Sequence, residues 1–219
     1  MHGGVGTYVK QTVKWLVTLG LLASLPAQPQ SPIDGVQDRY NHLRTLKVSF
    51  EEAVSYNGRV QRQEKGTLYL QRPGRMRWDY TDPAGKLFLA DGKVFYLYSP
   101  NSNQVQRIKP RETNDFRAPL AFLLGELDLR KEFDRILVRP AADGLEMVAQ
   151  PKSANEAFSQ VTFTLDPKTY AIRRVVIAGQ DGGTTEFRFH GEEVNPRLEA
   201  RLFQFQAPPG AEILDAEAH

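Results

Sequence analysis

The stretch Gly66 to Tyr80, GTLYLQRPGRMRWDY, constrains this chain more than any other. Two short apolar-alternating runs meet at Pro73-Gly74, where proline presets φ and glycine accepts the positive φ that follows. After the turn, Met76, Trp78 and Tyr80 alternate with Arg75, Arg77 and Asp79, which describes a half-buried antiparallel strand with one oily and one charged face. A two-residue loop would set Arg72 opposite Arg75 and place Leu68 and Leu70 beside Arg77 and Asp79. A three-residue loop pairing Arg72 with Met76 gathers Leu68, Leu70, Met76, Trp78 and Tyr80 on one face, the register that a buried face prefers. Arg72 then joins the apolar side. Either its stem packs while its head reaches water, or it is a functional cation at the rim of an apolar concavity.

Hairpin signals recur along the rest of the chain. A helix is expected from about Ile33 to Leu46, with Val36, Tyr40, Leu43 and Leu46 at helical spacing and Ser31 or Asp34 as cap. Period-two strands follow around Val48 to Tyr56, Lys86 to Ala90, Lys93 to Tyr98 and Asn103 to Ile108, punctuated by Asn57-Gly58, Asp82-Pro83 and Asp91-Gly92. A second meander runs through Ile136 to Arg139, Leu145 to Gln150, Phe158 to Leu165, Tyr170 to Ala178 and Thr184 to His190. Residues 201–214 read as a short strand, a double proline and a closing strand. Up to about ten strands emerge. Between the two meanders Leu120, Phe122, Leu123 and Leu124 form a short oily helix, read as a plug at one end of a barrel or as a movable lid. A second short helix follows it.

The first 27 residues read as a signal peptide. Lys10 and Lys14 precede the apolar run Trp15 to Leu25, which is too short for a comfortable membrane span, and small residues close it near Ala27. An uncleaved anchor is the alternative. Residues 28–219 then form a single domain whose formal charge falls from +2 to 0, because the leader carries two lysines and no acid. A neutral domain offers nucleic acid no basic footprint. The chain has no cysteine, so neither a disulfide nor a lipid anchor of its own is expected, and the exported domain is read as soluble.

Chemistry-bearing motifs are sparse. His42 and His190 are the only histidines away from the termini and lack ligand spacing, so no metal is expected. Asp79, Asp82 and Asp91 sit where turns and strand faces already call for aspartate. No catalytic residue and no cofactor are expected. An oily, curved sheet larger than its side chains can fill is instead a ligand site, and its natural ligand is an acyl chain.

Taken in order, VSFEEAV, GTLYLQRPGRMRWDY, LFLADGKVFYLYSPNSNQV, PLAFLLG and LFQFQAPPGAEIL give the chain a close resemblance to the LolA family of periplasmic outer-membrane lipoprotein carriers. The resemblance implies a mainly β fold with helices (α+β), an incomplete and highly curved antiparallel β-barrel, or half-barrel, with a helical lid over a hydrophobic cavity. It assigns the lid latch to Arg72 and the lid to Leu120, Phe122, Leu123 and Leu124. Cavity lining is expected from Phe50, Leu68, Leu70, Met76, Trp78, Tyr80, Leu87 and Leu89. A chaperone of this kind takes acylated lipoproteins from an inner-membrane lipoprotein-releasing ABC transporter and passes them to an outer-membrane acceptor lipoprotein, acting as a monomer in the periplasm. The alternative is a periplasmic lipid-binding or envelope-sensing protein of the same architecture.

Overall fold

A computed structural model describes residues 2–4, 31–109, 128–152 and 158–215. Apart from residues 2–4, the signal-peptide segment lies outside the described residues, as does the oily segment 119–124. The chain opens with helix α1 (Pro32–Asn41), which starts at Ser31 with proline in its first turn. It ends earlier than helical spacing predicts, because Leu43 and Leu46 belong to the approach and start of strand β1 (Thr45–Tyr56). Apolar residues three apart there satisfy a helical pattern that the strand also accommodates. Leu46, Val48 and Phe50 are all inward-facing in β1.

The first meander continues through β2 (Arg59–Gln71), β3 (Arg75–Asp82), β4 (Ala84–Asp91), β5 (Phe95–Ser99) and β6 (Gln104–Ile108). Tyr56 pairs with Arg59, so Asn57-Gly58 is a two-residue hairpin loop, and both of its residues have positive φ. After the short helix α2 (Leu129–Glu132) a second meander comprises β7 (Phe133–Ala141), β8 (Gly144–Pro151), β9 (Phe158–Leu165), β10 (Ile172–Gly179) and β11 (Gly183–Val194). A 3₁₀ turn at Ala200–Phe203 replaces the strand expected over the Arg201 region, and β12 (Glu212–Asp215) closes the chain.

Among the described residues, twelve strands form one open sheet in the order β12-β6-β5-β4-β3-β2-β1-β11-β10-β9-β8-β7. The two meanders meet where β1 pairs with β11, and every pairing is antiparallel except β6 with β12. The curled, predominantly antiparallel sheet agrees with the expected fold class, and the parallel pair at its edge is an addition to it. The sheet curls strongly. Strands β3 and β11 are three steps apart, roughly 14 Å in a flat sheet, yet the rings of Trp78 and Phe187 meet at 5.3 Å between centroids. Register shifts in β1, β2, β3 and β10 supply local bends. Helix α1 lies on the concave side. Val36 and Tyr40 join the core there, and the Tyr40 hydroxyl accepts the Ile172 amide at 2.9 Å.

Candidate functional site

The concave face is built by alternation in adjacent strands. Phe50 in β1, Leu68 and Leu70 in β2, and Met76, Trp78 and Tyr80 in β3 all belong to one buried apolar cluster. The rings of Phe50 and Trp78 meet edge to face at 4.7 Å, those of Phe50 and Tyr80 at 5.1 Å. The Trp78 indole N–H points at the Met76 sulfur, 3.0 Å away. Six of the eight expected lining residues therefore share one wall.

The other two do not. Leu87 pairs with Asp79 and Leu89 with Arg77, whereas Trp78 pairs with Phe88, so Leu87 and Leu89 occupy the opposite face of β4. That convex face is covered by the C-terminal segment. The Arg77 guanidinium donates to the Leu202 carbonyl at 3.0 Å, and Tyr96 stacks on Phe205 at 4.4 Å with the rings nearly parallel. Leu89 is fully buried in this second layer, apart from the main core. Phe88 and Phe187 take places on the concave wall that the sequence reading did not assign. In the run LFLA both faces are apolar, so alternation alone names no inner face.

The hairpin at Pro73 also differs in detail. Leu70 pairs with Met76 and Gln71 with Arg75, so the three loop residues are Arg72, Pro73 and Gly74. The expected pairing of Arg72 with Met76 is thus displaced by two residues. Parity is unchanged, and the apolar residues remain on one face. Gly74 has φ +74°, the freedom that the turn requires. Half-buried Arg72 donates its amide to the Arg44 carbonyl at 2.9 Å, which ties the loop to the entrance of β1. Its expected lid partners Leu120, Phe122, Leu123 and Leu124 lie outside the described residues.

At one end the apolar wall gives way to charge. On the concave face of β1, Phe50 is followed by Glu52; on β2, Glu64 pairs directly with Glu52, and Gly66 with Phe50. Both carboxylates are buried, and they are joined to neighbouring strands. The Tyr80 hydroxyl donates to Glu52 at 2.9 Å. Arg62 lies 3.6 Å from Glu52 and 3.4 Å from Glu64, while Lys86 of β4 bonds to Glu64. The Lys86 ammonium also stands over the Tyr80 ring, 4.3 Å from its centroid. The sequence carried a signal for this cluster: an acid at a position that alternation in β1 assigns to the buried face.

The same strands also line a cleft of about 460 Å³, whose residues Glu51, Gln63, Lys65, Glu186 and Arg188 alternate with Glu52, Glu64 and Phe187 and so belong to the other face of the sheet. Glu186 is bonded to Arg174 at 2.8 Å and Arg188 at 2.5 Å. The Arg174 hydrogen bond, followed in weight by the opposing effect of desolvation and the Arg188 bond, pushes its pKa down to about 2. A depressed carboxylate pKa adds stability above the ordinary glutamate range and loses it as pH falls toward about 2. Comparing urea midpoints of wild type and Glu186→Gln across that window should show a gap at neutral pH that closes in acid. A constant gap would remove Glu186 as a source of acid sensitivity. The solvent exposure of its partners Arg174 and Arg188 screens both pairs and keeps the effect small.

The aspartates are separately employed. Asp79 pairs with Arg77 at 2.8 Å, and Asp91 accepts the Lys93 and Val94 amides within its turn. Among the described residues, no group of three or more His, Asp or Glu is arranged to hold a metal ion. His190 is exposed.

Residues 41–206 match the family model described as outer membrane lipoprotein carrier protein LolA. An outer-membrane lipoprotein carrier protein from Dechloromonas aromatica is 33% identical over 184 residues, spanning 83% of this chain and 86% of the relative. The corresponding protein from Bordetella avium is 31% identical over 211 residues, spanning 94% of this chain and 98% of the relative. Among solved structures, an uncharacterized conserved protein from Thermus thermophilus superposes with a TM-score of 0.54 at 12% identity, covering 85% of this chain and all of that one. At that identity the likeness concerns the fold alone.

Proposed function

Because this chain belongs to the LolA family of outer-membrane lipoprotein carrier proteins, we propose that it binds the acyl chains of lipoproteins against its concave wall and carries them through the periplasm. The observation that carries this reading is the continuous apolar face of Phe50, Leu68, Leu70, Met76, Trp78 and Tyr80, curled so that strands distant in the sheet face each other. Each methylene transferred from water onto such a face gains about 0.8 kcal/mol, so a sequestered acyl chain would be held strongly without any covalent step. No bond is made or broken in this task.

Lipoproteins would be received from an inner-membrane lipoprotein-releasing ABC transporter and delivered to an acceptor lipoprotein at the outer membrane, with the carrier acting as a monomer. Export would remove the leader near Ala27. Arg72 would act as the latch between the wall and a lid formed by residues 119–124. Its position in the loop beside Arg44 supports that role by placing it at the rim of the sheet rather than mid-wall.

Native mass spectrometry of the protein purified from a bacterial envelope tests the proposal. Bound acylated polypeptide is the expected result. Bound free lipid with no polypeptide would overturn the carrier reading in favour of a lipid-binding protein.

A further inference from the structure

We propose that the ionic tier of Glu52, Glu64, Lys86 and Tyr80 is the end-stop of the concave wall and sets the longest acyl chain that the wall accepts. The inference rests on the carrier reading and adds a specificity determinant to it. Its basis is the level at which the face changes character. On β1 the change falls between Phe50 and Glu52, on β2 between Leu68 and Glu64 across Gly66, and on β4 between Phe88 and Lys86. Tyr80 of β3 stands at the boundary, with its ring against Phe50 and its hydroxyl on Glu52. Cross-strand register aligns these positions, since Phe50 pairs with Gly66, Gly66 with Tyr80, and Trp78 with Phe88. Three strands, β1, β2 and β4, thus turn from oil to charge at one level, with the Tyr80 phenol between them on β3, while on β11 Phe187, the partner of Glu52, keeps the face apolar there.

A scattered set of surface charges would not do this. Glu52 and Glu64 are almost fully buried, and the Lys86 side chain is only 13% exposed. A methylene group pushed against them would separate buried ions from their partners and replace ionic contacts with hydrocarbon, which is unfavourable. A chain lying along Met76 and Trp78 therefore gains from each added carbon until it reaches Tyr80, and gains nothing further.

The test measures affinity for synthetic acyl-cysteine peptides carrying lauroyl, myristoyl, palmitoyl, stearoyl or arachidoyl chains, using wild type and the double variant Glu64→Leu with Lys86→Met. Replacing both ends of the ion pair leaves no lone charge, and Glu52 keeps the Tyr80 hydroxyl and Arg62. Below the stop, affinity should rise roughly fourfold per added methylene in both proteins. In wild type the rise should halt at one chain length; in the double variant it should continue to longer chains. Thermal melts establish that each protein is folded. Should the double variant not fold, Glu64→Gln with Lys86→Gln, close in shape and uncharged, should shift the halt in the same direction. Folded variants that halt at the wild-type length would overturn the end-stop. Failure of wild type to bind any acyl peptide would instead overturn the carrier reading, and the two failures are distinct.

Discussion

Trp78→Ala should destabilise the protein by about 3 to 5 kcal/mol, the range for truncating a buried tryptophan. Trp78 is wholly buried, with Phe50, Phe187 and Phe189 around it at centroid distances of 4.7, 5.3 and 6.4 Å. These neighbours come from strands on both sides of the seam between the meanders, so no single strand can shift to fill the space. Since whole domains are stable by only about 5 to 15 kcal/mol, the loss is a large share. Urea unfolding followed by circular dichroism would measure it. A loss below about 1 kcal/mol would mean that the interior collapses around the gap and that Trp78 is not its centre.

Gly66→Ala should cost up to about 3 kcal/mol, although it adds one methyl group. The reason is a close approach of backbones. A Cβ built on Gly66 would stand 2.0 Å from the Asp79 carbonyl oxygen and 2.9 Å from the Tyr80 Cα, neither of which can rotate away. The register of β2 against β3 shifts immediately beside it, between Lys65 and Gly66. Glycine here also leaves room for the rings of Phe50 and Tyr80 to meet across the position. A side chain would push β3 away from β2, separating the wall at its end. The same unfolding experiment applies, and a variant as stable as wild type would show that the strands yield without cost.

The fold was largely readable where short-range rules decide the outcome. Asn57-Gly58 fixed a two-residue hairpin, because its positive φ values favour those residues, and strict alternation located β9 to the residue. Readability failed where two solutions satisfy the same local rule. Registers displaced by two residues keep identical faces, so parity could not choose between Arg72 and Leu70 as the partner of Met76. The run LFLA is apolar on both faces, so the inner wall and the layer beneath Phe205 were not distinguishable for Leu87 and Leu89. The parallel partnership of β6 with β12 depends on residues about a hundred positions apart, which no local pattern records. For the candidate site, the six central wall residues were legible from alternation, and the buried glutamates were legible only as an exception to it.

The seam between β1 and β11 bears on when this protein can acquire its shape. Strand β1 begins at Thr45, but the partner on its second side is Gly183–Val194, near the opposite end of the chain. Each meander can zip locally, strand after strand, whereas the join that closes the interior is a contact of high sequence separation and therefore slow to form. A chain threading out of a membrane from its N-terminus would remain unclosed until most of its length had emerged, which keeps it pliable during passage. Truncation before Gly183 should accordingly give chains that remain protease-sensitive, while full-length protein resists digestion; a resistant truncated chain would show that the first meander closes by itself.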